Sequence, residues 1–269
     1  MDRRIVFSGQ AIGVGLHFNH FDNVKVDHAI PAMGATAIPI VGGASHQKIS
    51  NQRHTVDHPR HRTVLEVGEV ESNSVGRILS DTEFATEIHC IVRALAILEQ
   101  LYVDNVELHQ TSTIVEGSPS EILTRTSKID GLRLGNVRVK VELDNEPFAT
   151  CGTRRAIEQF YASQSDAYRR ENCERFNTPE GAPTLADHRG RCHASVVKKI
   201  ELEGPDDEKS KIKVDRHSII WDGFGKIFLG EVIVTDKDRR VTMMRLKMGS
   251  SAGGTGGVTD GQTNSIIVS

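Results

Sequence analysis

Short runs of alternating apolar and polar residues, separated by Gly, Pro, Ser, Asn and Asp, fill residues 3–150 and constrain the fold more than any other feature. Examples are RIVFSG, AIGVGLHF, NVKVDHAI and TAIPIVGG in the first 43 residues. Successive side chains of a β-strand point to opposite faces of a sheet, so such alternation is typical of strands. The pattern returns after residue 192 in IKVDRHSIIW, KIFLGEVIV and VTMMRLKM. The sequence therefore predicts a mainly β protein.

One phrase recurs within this pattern. LYVDNVEL at 101–108 resembles LRLGNVRV at 132–139, and HFDNVKV at 20–26 is a looser copy. Asn, Asp and Gly tolerate the left-handed backbone region, and the apolar alternation changes face across the central pair, which predicts a bend, tight turn or bulge. Equivalent strands would lie near one another in an extended antiparallel or mixed sheet, arranged as a sandwich, a barrel or a short solenoid. Coincidence among Val-rich strands is the alternative to an internal repeat.

The segment 84–103, FATEIHCIVRALAILEQLYV, is ambiguous between helix and strand. Ile88, Val92 and Leu95 recur at helical spacing, and Ala, Leu, Glu and Gln are good helix formers, so the local pattern favours a helix. The segment nevertheless lies among strand signals and contains no breaker before the DNV phrase. The sequence leaves both alternatives open.

A second segment gives a clearer helical signal. One amphipathic helix is expected at about 153–175, because Ile157, Phe160, Tyr161 and Tyr168 recur at helical spacing. Thr153 can cap its N-terminus. We expect its apolar face to pack on the sheet as part of the core.

These signals divide the chain into three parts. Residues 1–150 form a β-rich segment, and residues 151–248 combine the helix with an antiparallel meander that packs with the first segment as one unit. Residues 249–269 form a Gly-rich C-terminal tail, whose composition is typical of a flexible linker. The tail ends in β-prone residues able to add to a sheet edge, so the predicted assembly contacts are Ser265, Ile266, Ile267 and Val268.

Composition and charge exclude several classes of function. The 33 Lys and Arg residues against 36 Asp and Glu residues give a net charge of −3, which provides no basic field for nucleic acid. No run of about 18 apolar residues indicates a transmembrane segment, and the opening MDRRIVFSGQ does not resemble a signal peptide. Four widely spaced cysteines suit a reducing compartment, although a pair such as Cys173 and Cys192 stays open. We expect a cytoplasmic protein, or one exported without an N-terminal signal.

The sequence contains no common catalytic motif, and its histidines carry the strongest chemical signal. His54, His58 and His61 lie in RHTVDHPRHR with Asp57 beside them, and could gather around a divalent metal. Three arginines in the same stretch would repel a cation, so we expect no cofactor, with a divalent metal as the alternative.

The leading functional hypothesis is a non-catalytic β-rich structural or interaction protein. It would self-assemble into a homo-oligomer, or bind another protein, through sheet edges and the C-terminal tail, so that deleting residues 249–269 reduces the size of the oligomer. The competing hypothesis is a metal-dependent enzyme or a ligand-binding β-barrel that uses the N-terminal histidines.

Overall fold

A computed structural model describes residues 4–21, 24–57, 61–165, 191–249 and 252–268, and places most of them in two antiparallel β-sheets. Sheet A contains nine described strands: β1 (Arg4–Phe21), β2 (Val24–Met33), β3 (Thr36–Ala37), β11 (Cys192–Ser195), β13 (Ile212–Asp215), β14 (Ser218–Trp221), β15 (Gly225–Val234), β16 (Asp238–Met248) and β17 (Ala252–Val268). Their order is β13-β14-β15-β16-β17-β1-β2, with β11 beside β15 and β3 beside β1.

Sheet B contains eight described strands: β4 (Gly43–Val56), β5 (Arg62–Ile78), β6 (Glu83–Ile97), β7 (Leu101–Val115), β8 (Glu121–Asp130), β9 (Arg133–Leu134), β10 (Val137–Leu143) and β12 (Val197–Glu203). Their order is β12-β10-β9-β7-β6-β5-β4, with β8 also beside β7. The helices are α1 (Glu146–Thr150), α2 (Arg154–Ser163) and α3 (Asp206–Lys209).

The two sheets pack face to face, with β1 and β17 of sheet A over β5, β6 and β7 of sheet B. The prediction of a mainly β protein is confirmed, and the architecture is a two-layer sandwich whose described strands do not close into a barrel. Both sheets combine strands from residues 1–150 with strands from later in the chain.

Residues 84–97 belong to β6 and 101–103 to β7, with a turn at 98–100 between them, and the helical alternative is wrong. Within β6, Phe84, Ile88 and Val92 are buried at alternating positions between β5 and β7. Ala94 has a positive φ of 51° and no partner in the described ladders, so the next buried residue is Leu95. This irregular residue changes the inward-facing positions from even to odd numbers, and the resulting spacing resembles that of a helix.

The predicted change of face at Asp104-Asn105 is confirmed. Buried residues of β7 occupy odd positions up to Val103 and even positions from Val106. Asn51, Gly68 and Ala94 occupy the same level in β4, β5 and β6, and the described ladders there skip these residues and Asp104. All four strands change face together, which keeps their pairing in register.

The two best-matched phrases are neighbours with different structures. Leu101 of β7 pairs with Leu134 of β9. In the second phrase, however, Gly135 and Asn136 form the two-residue turn that joins β9 to β10, with a φ of 57° at Gly135. The Asp-Asn pair of the third copy lies outside the described residues, and an internal repeat stays a prediction.

The Gly-rich tail is a central strand of sheet A, so its linker-like composition has another cause. β17 lies between β16 and β1, with Gly256 opposite Leu16 and Gly257 opposite Gly15. A Cβ atom on Gly261 would lie 2.5 Å from Ile88 Cδ1 and 2.8 Å from Leu108 Cδ2 of sheet B. Glycine is needed in β17 because other side chains approach its backbone closely.

Helix α2 begins where the sequence predicts. The Thr153 side chain accepts a hydrogen bond of 3.1 Å from the Ala156 amide, and Ile157 and Tyr161 are buried. The predicted end at about 175 is wrong, because α2 stops at Ser163 and Gln164 is extended, with its amide donating to the Tyr161 carbonyl. Residues 166–190, which include Tyr168, lie outside the described ranges.

A buried arginine holds the helical segment against sheet A. Arg239 of β16 is fully buried and donates hydrogen bonds to the carbonyl oxygens of Phe148 (2.8 Å) and Cys151 (2.6 Å), at the C-terminal end of α1. Burial lowers the pKa of Arg239 to about 10. The guanidinium satisfies carbonyl groups that have no partner within the helix.

Candidate interaction surface

One end of the sandwich carries every large hydrophobic residue that is exposed in the described part of the chain. These residues are Ile40 (66% exposed), Val41 (82%), Ile78 (65%), Leu79 (53%) and Val115 (42%), here called the apolar rim. Single exposed apolar residues are common on protein surfaces, whereas a contiguous group of them marks an interaction site.

Three neighbouring connections hold the apolar rim. Ile40 and Val41 lie in the loop between β3 and β4, where the Gly42 amide donates to the Pro39 carbonyl. Ile78 and Leu79 lead into the turn between β5 and β6, and Val115 ends β7. The Glu116 amide donates to the Thr82 carbonyl at 2.9 Å, which joins the second and third connections directly.

A small apolar cluster supports the apolar rim from inside. Phe7, Ile38 and Phe84 form a buried group separate from the main core. The rings of Phe7 and Phe84 meet edge to face, with their centres 6.4 Å apart. The Phe7 amide also donates to the Ile40 carbonyl at 3.0 Å. The exposed residues therefore lie in short connections between strands that are packed against this cluster.

The charged residues next to the apolar rim are mainly acidic. Asp81 and Glu116 lie in the connections that carry it and Glu83 begins β6, whereas Arg77 and Arg125, which line a depression together with Leu79, supply positive charge nearby. Arg77 itself lies 3.6 Å from a Glu87 carboxylate oxygen. This balance does not favour an anionic lipid surface, which attracts clusters of basic residues.

The end of β17 lies at the same end of the molecule. Ser265 pairs with Phe7, and the pairing with β1 continues to Val268 opposite Arg4. The described pairing with β16 ends at Asn264. Among the described ladders, the four predicted assembly residues are therefore paired on one side only, by β1.

The long edges of the sheets carry features that oppose edge-to-edge pairing. Strand β4 is the edge of sheet B, and Asn51 interrupts it with a φ of 53°. Its exposed side includes Lys48, which lies 2.7 Å from Glu69, and Arg53, which lies 2.9 Å from Glu66. Pro31 lies in β2, the edge of sheet A. Irregular backbone, charge and proline are common protections of edge strands.

Of the three histidines predicted to bind a metal, His54 and His61 lie on the β4–β5 hairpin. His54 is in β4 opposite Leu65, and His61 Nδ1 lies 2.6 Å from an Asp57 carboxylate oxygen. His58 lies outside the described residues. Within those that are described, no group of three or more His, Cys, Asp and Glu side chains is arranged to hold a metal ion. Metal binding by this cluster stays a prediction.

The outer face of sheet A carries a trough of about 500 Å³. Its floor includes Gly15 and Gly257, which pair with each other. Arg240 of the lining is paired with Asp260, and Arg245 donates to the Glu231 carboxylate at 2.7 and 2.9 Å. These ion pairs neutralise the two arginines of the lining.

No sequence motif marks the residues of the apolar rim. Their only local signal is the position of IV and IL between strands, in PIVGG and RILSD, where polar turn residues are more common. Tertiary structure was needed to show that the connections are adjacent.

Comparisons with known proteins identify a family. The family model described as a domain of unknown function (DUF8256) matches residues 6–235. No curated protein and no solved structure matches the chain. Of the helices in the described ranges, none has both the length and the apolar character needed to cross a membrane.

Proposed function

Because the chain belongs to this family of domains of unknown function, we propose its role from the molecule itself: a non-catalytic interaction module that self-associates through the apolar rim and the adjoining end of β17. The observation that carries the proposal is the concentration of exposed large hydrophobic residues at one end of the sandwich. Burying this surface against a partner would remove apolar area from water, at about 25 cal/mol per Å².

A second copy of the chain fits the surface best. The segment Ser265–Val268 contains no charged residue and is paired on one side within the described ladders. Two such segments from different copies can pair in antiparallel fashion about a two-fold axis, the commonest symmetry of soluble oligomers. The two apolar rims would then lie beside this shared ladder. The net charge of −3 opposes association only weakly.

Sedimentation velocity of the full-length protein over a wide range of concentration tests the proposal. We expect the wild type to sediment as a dimer or larger species. The double variant Ile78→Lys/Leu79→Lys should sediment as a monomer, because two desolvated ammonium groups would face the partner. Gln100→Lys, in the β6–β7 turn at the opposite end, adds a charge away from the surface and should leave the oligomer unchanged.

Truncation after Asn264 tests the contribution of β17. This change spares the part of the strand that lies between β1 and β16, whereas deletion of residues 249–269 would remove a central strand and unfold the sheet. Circular dichroism should show native β-structure in each variant. A wild-type protein that remains monomeric at every concentration, or folded rim variants that retain the wild-type size, would refute self-association through this end.

A further inference from the structure

A pair of histidines on the outer face of sheet B is independent of the apolar rim. His89 of β6 and His109 of β7 stand directly opposite each other in the antiparallel ladder. Their ring centres are 5.1 Å apart and the ring planes make an angle of 46°. The side chains are 36% and 27% exposed, so both imidazoles are fixed by the sheet and reachable from solvent.

Each imidazole is oriented by a glutamate on the opposite strand. His89 Nε2 lies 3.0 Å from a Glu107 carboxylate oxygen, and His109 Nε2 lies 3.0 Å from a Glu87 carboxylate oxygen. An ionised carboxylate can only accept, so Nε2 of each ring must donate. In the neutral imidazole this leaves the lone pair on Nδ1, and the two rings share the same tautomer.

The glutamates are in turn held by cations on their far sides. The second carboxylate oxygen of Glu107 lies 3.6 Å from Lys128 Nζ, and that of Glu87 lies 3.6 Å from an Arg77 guanidinium nitrogen. Across the face of the sheet, each imidazole therefore contacts a carboxylate, and each carboxylate contacts a cation on its far side. Two positive charges flank the pair, but each is directed to a carboxylate oxygen other than the one that contacts the ring.

We propose that His89 and His109 form a binding site for a divalent transition-metal ion, with Nδ1 of each ring as a ligand, Glu107 and Glu87 as orienting partners, and water in the remaining positions. Metal-binding histidines almost always donate their other ring N–H to a carboxylate or similar acceptor, the arrangement that both rings show here. The site would use two protein ligands, one from each ring.

The ring separation suits a shared ion. Two nitrogens bound tetrahedrally to one Zn²⁺ at about 2.0–2.1 Å lie roughly 3.3 Å apart. Ring centres 5.1 Å apart are compatible with that separation when the two Nδ1 atoms face each other. Imidazole ligands suit Cu²⁺, Ni²⁺ and Zn²⁺, and Cu²⁺ should bind most tightly.

Titration calorimetry with ZnCl₂, and electron paramagnetic resonance with CuCl₂, test the site on the full-length protein. We expect one saturable ion per chain and a copper spectrum with coupling to two ring nitrogens. His109→Asn and His89→Asn should each abolish this binding. Glu107→Gln should weaken it by about 10- to 100-fold while circular dichroism stays native, because a neutral amide oxygen accepts the ring N–H less strongly than a carboxylate does.

The matched control is His54→Asn/His61→Asn, which removes two described members of the cluster predicted from the sequence. This variant should bind zinc and copper as the wild type does. Loss of binding in the control with retention in folded His109→Asn would overturn the assignment, as would a wild-type protein that binds no zinc or copper. These outcomes do not depend on the oligomeric state, so the site can fail without affecting the proposed self-association.

Discussion

Val70 joins the two sheets by a steric interlock that a double-mutant cycle can measure. This fully buried residue of β5 projects from sheet B toward sheet A. A Cβ atom built on Gly13 of β1, or on Gly34 after β2, would overlap Val70 Cγ1. At Gly13 the same Cβ would also lie 2.9 Å from the Met33 carbonyl oxygen. Val70 therefore fills a notch that only glycine leaves open.

The interlock predicts strong non-additivity. Val70→Ala removes two buried methyl groups at about 0.8 kcal/mol each, and the cavity raises the loss of unfolding free energy to about 2–3 kcal/mol. Gly13→Ala overpacks the notch and should cost about 1–3 kcal/mol. In the double variant the new methyl group enters space vacated by Val70, although its contact with the Met33 carbonyl oxygen remains. The total loss should therefore be at least about 1 kcal/mol smaller than the additive 3–6 kcal/mol.

Urea unfolding followed by the fluorescence of Trp221, the single tryptophan, would measure these free energies. Gly257→Ala is the control, because its Cβ would find no atom within 4 Å on the outer face of the same sheet. We expect the control to change stability by less than about 0.5 kcal/mol. A double variant whose loss equals the sum of the single losses within about 0.5 kcal/mol would refute the interlock.

Two further predictions concern backbone strain and pH. In the same unfolding assay, Gly131→Ala should lower the free energy of unfolding by about 1–3 kcal/mol more than Gly117→Ala does. Both glycines have a positive φ (67° and 79°), but only at Gly131 would the new Cβ overlap Asp104. Equal losses in the two variants would contradict this account. Burial raises the pKa of the Cys90 thiol to about 11 and that of the Cys192 thiol to about 12. The stability contributed by the neutral thiols should therefore be fully present below the unfolded-state pKa of about 8.5. It should be lost as pH rises toward the folded-state pKa values, by up to about 1.4 kcal/mol per pH unit for each thiol. The difference in unfolding free energy between wild type and Cys90→Ala/Cys192→Ala, measured from pH 8 to about 11, should change with this sign, and a pH-independent difference would show that the thiols ionise equally in both states.

Strand character, local turns and one helix start were determined by the sequence. Alternation identified the strands because it reflects which face of a sheet is buried. The Asp-Asn pair of residues 104 and 105 marked the change of face in β7, since the apolar positions on either side record it directly. Thr153 marked the start of α2 because N-capping involves only residues within one turn.

The identity of β6 and β17, and the position of the apolar rim, were decided by tertiary structure. The irregular backbone at Ala94 gives β6 helix-like spacing, and only pairing with β5 and β7 makes it a strand. The glycines of β17 have the composition of a linker until neighbouring side chains are placed against them. Val41, Leu79 and Val115 are distant in sequence, and the hydrogen-bonded ladders bring their connections to one end. Local sequence records the preferences of each segment, but which segments pair, and which apolar residues remain uncovered, depends on contacts between distant parts of the chain.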